Sequence, residues 1–174
     1  GTGSITVVAM EDCLPYNRPI LSSVLAKDTL FEDILLEEAE FYERHKIQLL
    51  EGVQDMSIET SSKTLVLSSG EELPYTKLLL ATGANPFNPS KTGQGGVPVR
   101  VLRSFTDAEE LVKAARNKRV VLVGGGILGL EAAVALQGRS CTVTVVEFAP
   151  RLMSLQADEE ASRRLEEALN KMGI

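Results

Sequence analysis

Apolar residues recur along this chain in two rhythms, one close to alternation or short unbroken runs and one close to helical spacing. Ser4 to Ala9 (SITVVA) is a β-branched run that ends at Glu11 and Asp12, which predicts a buried strand with a carboxylate at its carboxyl end. Pro15-Tyr16-Asn17-Arg18-Pro19 cannot be regular helix or inner strand, because each proline fixes φ and removes a donor, so an ordered loop is expected. A short helix is expected over Ile20 to Ala26 and a longer one over Glu37 to Lys46. From Ile47 to Leu80 the pattern breaks into strand-length pieces, IQLLEG, VQDMSIET, KTLVLS and ELPYTKLLLATG, with turns at Ser61-Ser62 and Ser68-Ser69-Gly70. They predict a small meander feeding a final apolar strand over Lys77 to Ala81, which Gly83 and Pro86 break.

Lys91 to Pro98 (KTGQGGVP) is the most linker-like stretch. Beyond it, Ser104 or Thr106 can cap a helix over Asp107 to Arg116, whose early Asp107, Glu109 and Glu110 suit a positive helix end. A strand over Arg119 to Val123, a glycine turn, a helix over Ile127 to Gln137, a strand over Thr142 to Glu147 and an amphipathic helix over about Asp158 to Met172 complete the pattern. No solenoid-type repeat is visible.

With 174 residues, 44% hydrophobic and 24% charged, the chain can bury a core and is expected to be ordered. A net charge of −6 and a pI near 4.9 argue against a phosphate-backbone partner, and no basic patch is concentrated anywhere. Cys13 and Cys141 lie far apart without metal-ligand or redox-motif spacing, so neither a disulfide framework nor a zinc site is expected. His45 sits in a charged stretch and reads as a solvated helix residue, a poor general base. No apolar run approaches the ~20 residues a bilayer requires, and the start lacks a signal-peptide layout; a cytoplasmic location is expected.

The stretch VVLVGGGILGLEAAVAL carries the candidate chemistry. Gly124, Gly126 and Gly129 satisfy G-x-G-x-x-G directly between an apolar strand and a helix, the context of a dinucleotide-binding βαβ unit. Gly124 permits the tight turn, Gly126 lets a pyrophosphate approach the backbone, and Gly129 lets the helix pack on the strand. The N–H groups of the helix start, at Ile127 and Leu128, then face the phosphates, aided by the helix dipole. Glu147 ends the second strand at about the ~20-residue offset from which a carboxylate reaches the adenosine ribose hydroxyls, so NAD(H) is favoured over NADP. Arg151 is either a surface charge or a residue that softens this preference. Glu131, in the first helix turn, either compensates the dipole or makes a contact near the reacting rings.

Several segments resemble the two-dinucleotide-binding flavoprotein reductases of the pyridine nucleotide-disulfide oxidoreductase family. Pro15-Tyr16-Asn17-Arg18-Pro19-Ile20-Leu21-Ser22 looks like the P-Y-x-R-P-x-L-S segment of its branch containing rubredoxin and ferredoxin reductases, the nitrite reductase large subunit and apoptosis-inducing factor. Leu80-Ala81-Thr82-Gly83-Ala84 resembles the strand end that closes the flavin domain, and Leu102 to Ala108 the stretch leading into the NAD domain. The resemblance implies an α/β fold made of parts of two Rossmann-like, doubly wound, three-layer dinucleotide-binding domains with a small antiparallel β meander. Residues 1–98 would be the FAD-binding part, without its first βα unit, and 99–174 the NAD(H)-binding part, a βαβα unit cut short. Glu11 would bind the ribose of the FAD adenosine, Arg18 and Pro19 would lie along the flavin nucleotide, the backbone of Val53, beginning a strand, would meet the adenine, and Ala81, Thr82 and Gly83 would sit near the pyrophosphate. Taken without the resemblance, Glu11 is a strand-end charge, Arg18 a loop ion-pair residue, Val53 core and Thr82-Gly83 a turn.

Set beside that family, the chain begins at what would be the second strand of the FAD domain, with Gly1-Thr2-Gly3 as a remnant of a glycine turn. It stops where a third NAD-domain strand would start. The expectation is a fragment that retains FAD poorly unless the missing parts are supplied, since a parallel sheet is normally buried on both faces. Ser23 stands where many members carry lysine, which weakens the carry-over of a lysine–carboxylate pair near the flavin involving Glu131. The expected activity is an NAD(P)H-dependent FAD oxidoreductase that passes hydride from NADH to FAD and on to an unidentified acceptor: a redox protein, a nitrite-type site or oxygen. No catalytic acid or base is required, because hydride transfer between stacked rings needs alignment. A Cys13-dependent NADH oxidase or disulfide reductase and a non-catalytic nucleotide-binding module are the alternatives. Nucleotide cofactors, a redox-protein acceptor and a second copy of the chain are the partners considered; nucleic acid and membrane are not.

Overall fold

A computed structural model of the chain describes residues 3–26, 29–87 and 96–174. In chain order the elements are β1 (Ile5–Val8), α1 (Leu21–Leu25), α2 (Ala39–Arg44), β2 (Ile47–Leu50), β3 (Met56–Glu59), β4 (Thr64–Leu67), β5 (Glu72–Pro74), α3 (Phe105–Ala115), β6 (Arg119–Val123), α4 (Ile127–Gln137), β7 (Thr142–Val146) and α5 (Glu159–Lys171). Single 3₁₀ turns stand at Arg18–Ile20 and Glu32–Ile34. The described residues gather in two compact units, one drawn from Gly1–Tyr16 and Leu35–Asn85, the other from Asn17–Ile34 and Pro86–Ile174. The arrangement is mixed α/β, with parallel and antiparallel ladders.

In the first unit β1 pairs in parallel with β2, Ile5 opposite Ile47 through Val8 opposite Leu50. The pairing continues past the strands, where the Val53 N–H donates to the Ala9 carbonyl at 3.0 Å. β3, β4 and β5 form the antiparallel meander, with Met56 opposite Leu67 and Leu65 opposite Leu73. Leu65 and Leu67 are buried while their neighbours Thr64 and Val66 are half-buried, the alternation that pins a strand's register when one face meets a core. His45 ends α2, with its ring 4.4 Å from that of Phe41.

Four expectations change here. IQLLEG leaves the meander and joins β1, because a parallel partner is available to it. Val53 does not begin a strand; the strand starts at Met56, and Gly52 turns the chain with φ of 71° just before Val53. No strand forms over Lys77 to Ala81: a ladder needs a partner, none of the described residues supplies one, and Leu79 is 86% exposed. SITVVA does form a strand but not a buried one, with Ile5 57% exposed, because β2 is its one ladder neighbour among the described residues.

The second unit is built on β6 and β7, parallel in register from Arg119 opposite Thr142 to Val123 opposite Val146. α4 connects them and covers one face, where Ala115, Ala133, Leu136, Cys141 and Val143 form the core. The Cys141 thiol donates to the Ala115 carbonyl within that core. Val121 and Val123 point to the opposite face and are exposed. α3 begins in a capping box: Ser104 Oγ accepts from the Asp107 N–H at 3.1 Å and the Asp107 carboxylate accepts from the Ser104 N–H at 2.7 Å. Thr106 is not the cap.

α1 packs on α3 and α4. Its last carbonyls, at Val24 and Leu25, accept hydrogen bonds from the Arg139 guanidinium, which satisfies groups that a helix end leaves open. The Arg18 guanidinium donates to the Arg103 carbonyl, and the Phe31 ring lies 4.3 Å from that of Phe105. Most of the linker-like stretch and Gly1-Thr2 of the proposed remnant turn lie outside the described residues; Gly96 to Pro98 are exposed. No helix among the described residues is long and apolar enough to cross a membrane.

Candidate dinucleotide-binding site

β6 ends at Val123 and α4 starts at Ile127, so three consecutive glycines make the whole connection. Gly124 takes φ of 114°, a conformation L side chains rarely adopt, and its N–H donates to the Val146 carbonyl at 2.8 Å. At Gly129 the constraint is packing: a Cβ would sit 2.2 Å from the Gly124 carbonyl oxygen and 3.1 Å from Leu122 Cδ2. Gly126 is the reverse case. It is exposed, its backbone is ordinary extended chain, and a Cβ there would meet nothing within 4 Å. The backbone just before α4 is therefore open at Gly126. The first N–H groups of any α-helix lack intrahelical acceptors, and those of Ile127 and Leu128 stand at the positive end of this eleven-residue helix.

Gly125, between the motif glycines, is buried and gripped at both of its peptide groups. Its N–H donates to Glu147 Oε2 at 2.5 Å, and its carbonyl accepts from the Met153 N–H at 3.0 Å. A Cβ on it would lie 2.5 Å from Leu152 Cδ2 and 3.2 Å from Glu147. The loop after β7 thus folds back onto the glycine turn. Glu147 also accepts from the Ala149 N–H at 2.7 Å. The N–H groups of Ala149 and then Gly125 hold its carboxyl below the ordinary glutamate range, so it is anionic wherever the protein is near neutral pH.

Glu131 lies on α4 four residues beyond Ile127, and its carboxylate accepts from the hydroxyl of the buried Ser22 at 2.6 Å. This bond turns it toward α1. It borders an open groove of about 620 Å³ between α1, α4 and α5, whose lining includes neither the glycine turn nor Glu147. Among the other sequence-predicted residues, Glu11 follows β1 and accepts from the Tyr16 hydroxyl at 2.6 Å. Val53 follows β2, and Ala81, Thr82 and Gly83 form an exposed stretch in which Gly83 has φ of 70°. These belong to the first unit, whereas Arg18 and Pro19, in the first 3₁₀ turn, belong to the second. Cys13 is half-buried and Cys141 buried, both as thiols.

The whole chain, residues 1–174, matches the family model of the pyridine nucleotide-disulphide oxidoreductases. The chain belongs to that family. A nitrite reductase of Bacillus subtilis is 36% identical over 171 residues, which is 98% of this chain and 21% of the relative. A rubredoxin-NAD(+) reductase of Pseudomonas putida is 36% identical over 174 residues, 99% of this chain and 45% of the relative. Among solved structures, a ferredoxin reductase of Rhodopseudomonas palustris superposes with a TM-score of 0.89 at 31% identity, covering 99% of this chain and 43% of the other. The chain thus spans between a fifth and just under half the length of these relatives.

Pyridine nucleotide-disulphide oxidoreductases of this kind are FAD- and NADH-dependent reductases with Rossmann-like domains. At the glycine turn of this member a methyl group on Gly126 would meet no protein atom within 4 Å, which leaves room for a pyrophosphate beside the start of α4. Sequence reasoning missed Gly125, which lies outside the G-x-G-x-x-G spacing. The signal was the middle glycine of the run, unnecessary for the motif and required by Leu152 and Glu147.

Proposed function

We propose that the chain holds nucleotide sites of an NAD(P)H-dependent FAD oxidoreductase, with NADH bound between Gly124 and Glu147. The observation that carries this reading is the anionic Glu147 carboxylate fixed beside the glycine turn by the Gly125 and Ala149 N–H groups. Glu147 accepts from the ribose hydroxyls of the adenosine and repels a 2′-phosphate, which favours NAD over NADP. Gly126, Ile127 and Leu128 present backbone N–H groups to the pyrophosphate, Gly124 shapes the turn, and Gly129 keeps α4 close enough for those groups to converge. Gly125, already bonded at both sides, positions the turn and does not contact phosphate.

FAD would supply the hydride acceptor for NADH and the electron source for a further acceptor. Glu11, Arg18, Pro19, Val53, Ala81, Thr82 and Gly83 are our assignment for holding it, with Glu11 oriented for that role by the Tyr16 hydroxyl. We place the boundary between FAD-binding and NAD-binding parts near residue 98, with 17–34 packed in the same compact unit as the NAD-binding part. The names of relatives, a rubredoxin-NAD(+) reductase and a ferredoxin–NAD(+) reductase component, support a small electron-transfer protein as acceptor. Glu131 stays among our proposed cofactor-binding residues, held toward α1 by the Ser22 hydroxyl.

The test is an absorbance spectrum of the full protein, followed by anaerobic addition of NADH and, separately, NADPH. A flavin band that NADH bleaches at lower concentration than NADPH is expected. A protein with no flavin band, or one that NADH leaves unbleached, would sink the reading.

A further inference from the structure

Between Glu147 and Asp158 the chain carries a single cationic side chain, Arg151. Left free, a guanidinium four residues beyond the ribose carboxylate is the group that would recruit a 2′-phosphate, since its planar fork matches phosphate oxygens two at a time. In this structure it is engaged elsewhere. It donates to the Ala157 carbonyl and, at 3.2 Å, to the hydroxyl oxygen of Ser162.

Ser162 is the more informative partner. It lies on the inner face of α5, only 3% exposed, where an amphipathic helix ordinarily presents an apolar residue. A hydroxyl buried there has to be matched by partners. Both are in the loop after β7: Ser162 Oγ donates to the Leu152 carbonyl at 2.7 Å and accepts from Arg151. Leu152 is the same residue whose side chain packs on Gly125, and Met153 bonds the Gly125 carbonyl. One buried hydroxyl therefore holds the loop against the glycine turn and, with the Ala157 carbonyl, draws the loop's cation toward α5.

We infer that Ser162 is a specificity-determining positioning residue, which together with the Ala157 carbonyl holds a phosphate-binding cation away from the ribose edge and leaves Glu147 to decide between NADH and NADPH. The inference rests on the assignment of Glu147 to the ribose. Its physical content is that nucleotide preference in this chain has two parts, an anion in place and a cation kept away, and that the second is set by a residue on a different helix.

The experiment measures equilibrium affinity of the full protein for ADP-ribose and 2′-phospho-ADP-ribose by calorimetry, so that no redox turnover enters the readout. The variants are Ser162→Ala, Arg151→Gln and the double substitution. Ser162→Ala is expected to raise the affinity for the phosphorylated probe relative to ADP-ribose by about 3- to 10-fold, the scale of removing one of the two acceptors that hold the guanidinium. The double variant returns the ratio to the wild-type value. Arg151→Gln alone leaves the ratio unchanged, because a latched arginine contributes nothing at the ribose. A purely structural Ser162 would weaken both probes together and leave their ratio alone. An unchanged ratio in folded Ser162→Ala overturns the inference. So does a loss of 2′-phospho-ADP-ribose affinity in Arg151→Gln, which needs no Ser162 variant to fold. Saturable ADP-ribose binding by the wild type with either of those results would leave the NAD assignment standing; no such binding would overturn both.

Discussion

Replacing Gly129 by alanine sets two opposing effects against each other. Alanine is the better helix former, and relief of glycine's backbone freedom in a helix favours the substitution by about 0.5–1 kcal/mol. Against it, the added methyl would lie 2.2 Å from the Gly124 carbonyl oxygen, where ordinary contact begins at 3.4 Å. Relief cannot come from a side-chain rotation, because the obstructing atom is backbone. The start of α4 must move off β6 by about an ångström, and overpacking of that order costs about 1–3 kcal/mol. The clash wins, with a net loss of about 1–2 kcal/mol and a melting temperature lower by roughly 2–8 °C for a chain of this size. Gly126→Ala is the matched control: it meets nothing within 4 Å, so its melting temperature should equal or slightly exceed that of the wild type. It should nonetheless weaken ADP-ribose by tenfold or more, since the methyl occupies the space assigned to pyrophosphate. Thermal melts and a binding isotherm on the two variants give the answer. A Gly129→Ala protein melting within a degree of wild type would refute the packing argument, and a Gly126→Ala protein binding normally would refute the phosphate assignment.

Glu147 has a carboxyl held below its ordinary value, so the sign of its pH dependence follows: its bonds to Ala149 and Gly125 persist above the range where an unfolded glutamate titrates and are lost as pH falls through the lowered native value. A carboxyl carbon titration by NMR should place its midpoint below that of an ordinary glutamate, and Glu147→Gln should abolish the transition. Ser104→Ala removes the acceptor for the Asp107 N–H at the start of α3 and should destabilise by about 1 kcal/mol in denaturant unfolding. Arg139→Leu leaves the Val24 and Leu25 carbonyls without their guanidinium and should speed amide exchange in α1 while leaving β6 and β7 unchanged; equal protection of α1 in both proteins would contradict its role as a cap.

The βαβ unit was legible to the residue because its cues are local: β6 and α4 have the bounds the pattern predicts, and β7 ends one residue early. α5 begins where Asp158 caps it, accepting from the Ala161 N–H at 2.8 Å. Strand pairing is decided elsewhere in the chain, and there the pattern failed. Lys77 to Ala81 is as apolar as β6, yet forms no ladder among the described residues. The affiliation of residues 17–34 was equally hidden, because it rests on contacts such as Arg18 with the Arg103 carbonyl and Phe31 with Phe105, which no periodicity encodes. Spacing singled out Gly124, Gly129 and Glu147, which the structure gathers around one turn, but not the tether from Glu131 to Ser22, 109 residues away.

The double grip on Gly125 restricts how coenzyme preference can be altered, in evolution or in the laboratory. In the reading proposed above Glu147 repels a phosphate, and the same carboxylate is the acceptor for a buried N–H of the turn itself. Trading it for alanine removes the repulsion and, in the same stroke, orphans that N–H at about 1–3 kcal/mol, loosening the cradle the new coenzyme would need. A successful conversion must therefore arrive with a neutral acceptor at position 147, such as serine, threonine or asparagine, able to keep the Gly125 peptide in place. Sequences that have changed preference should show an oxygen-bearing side chain there more often than an aliphatic one, for reasons that have nothing to do with the nucleotide.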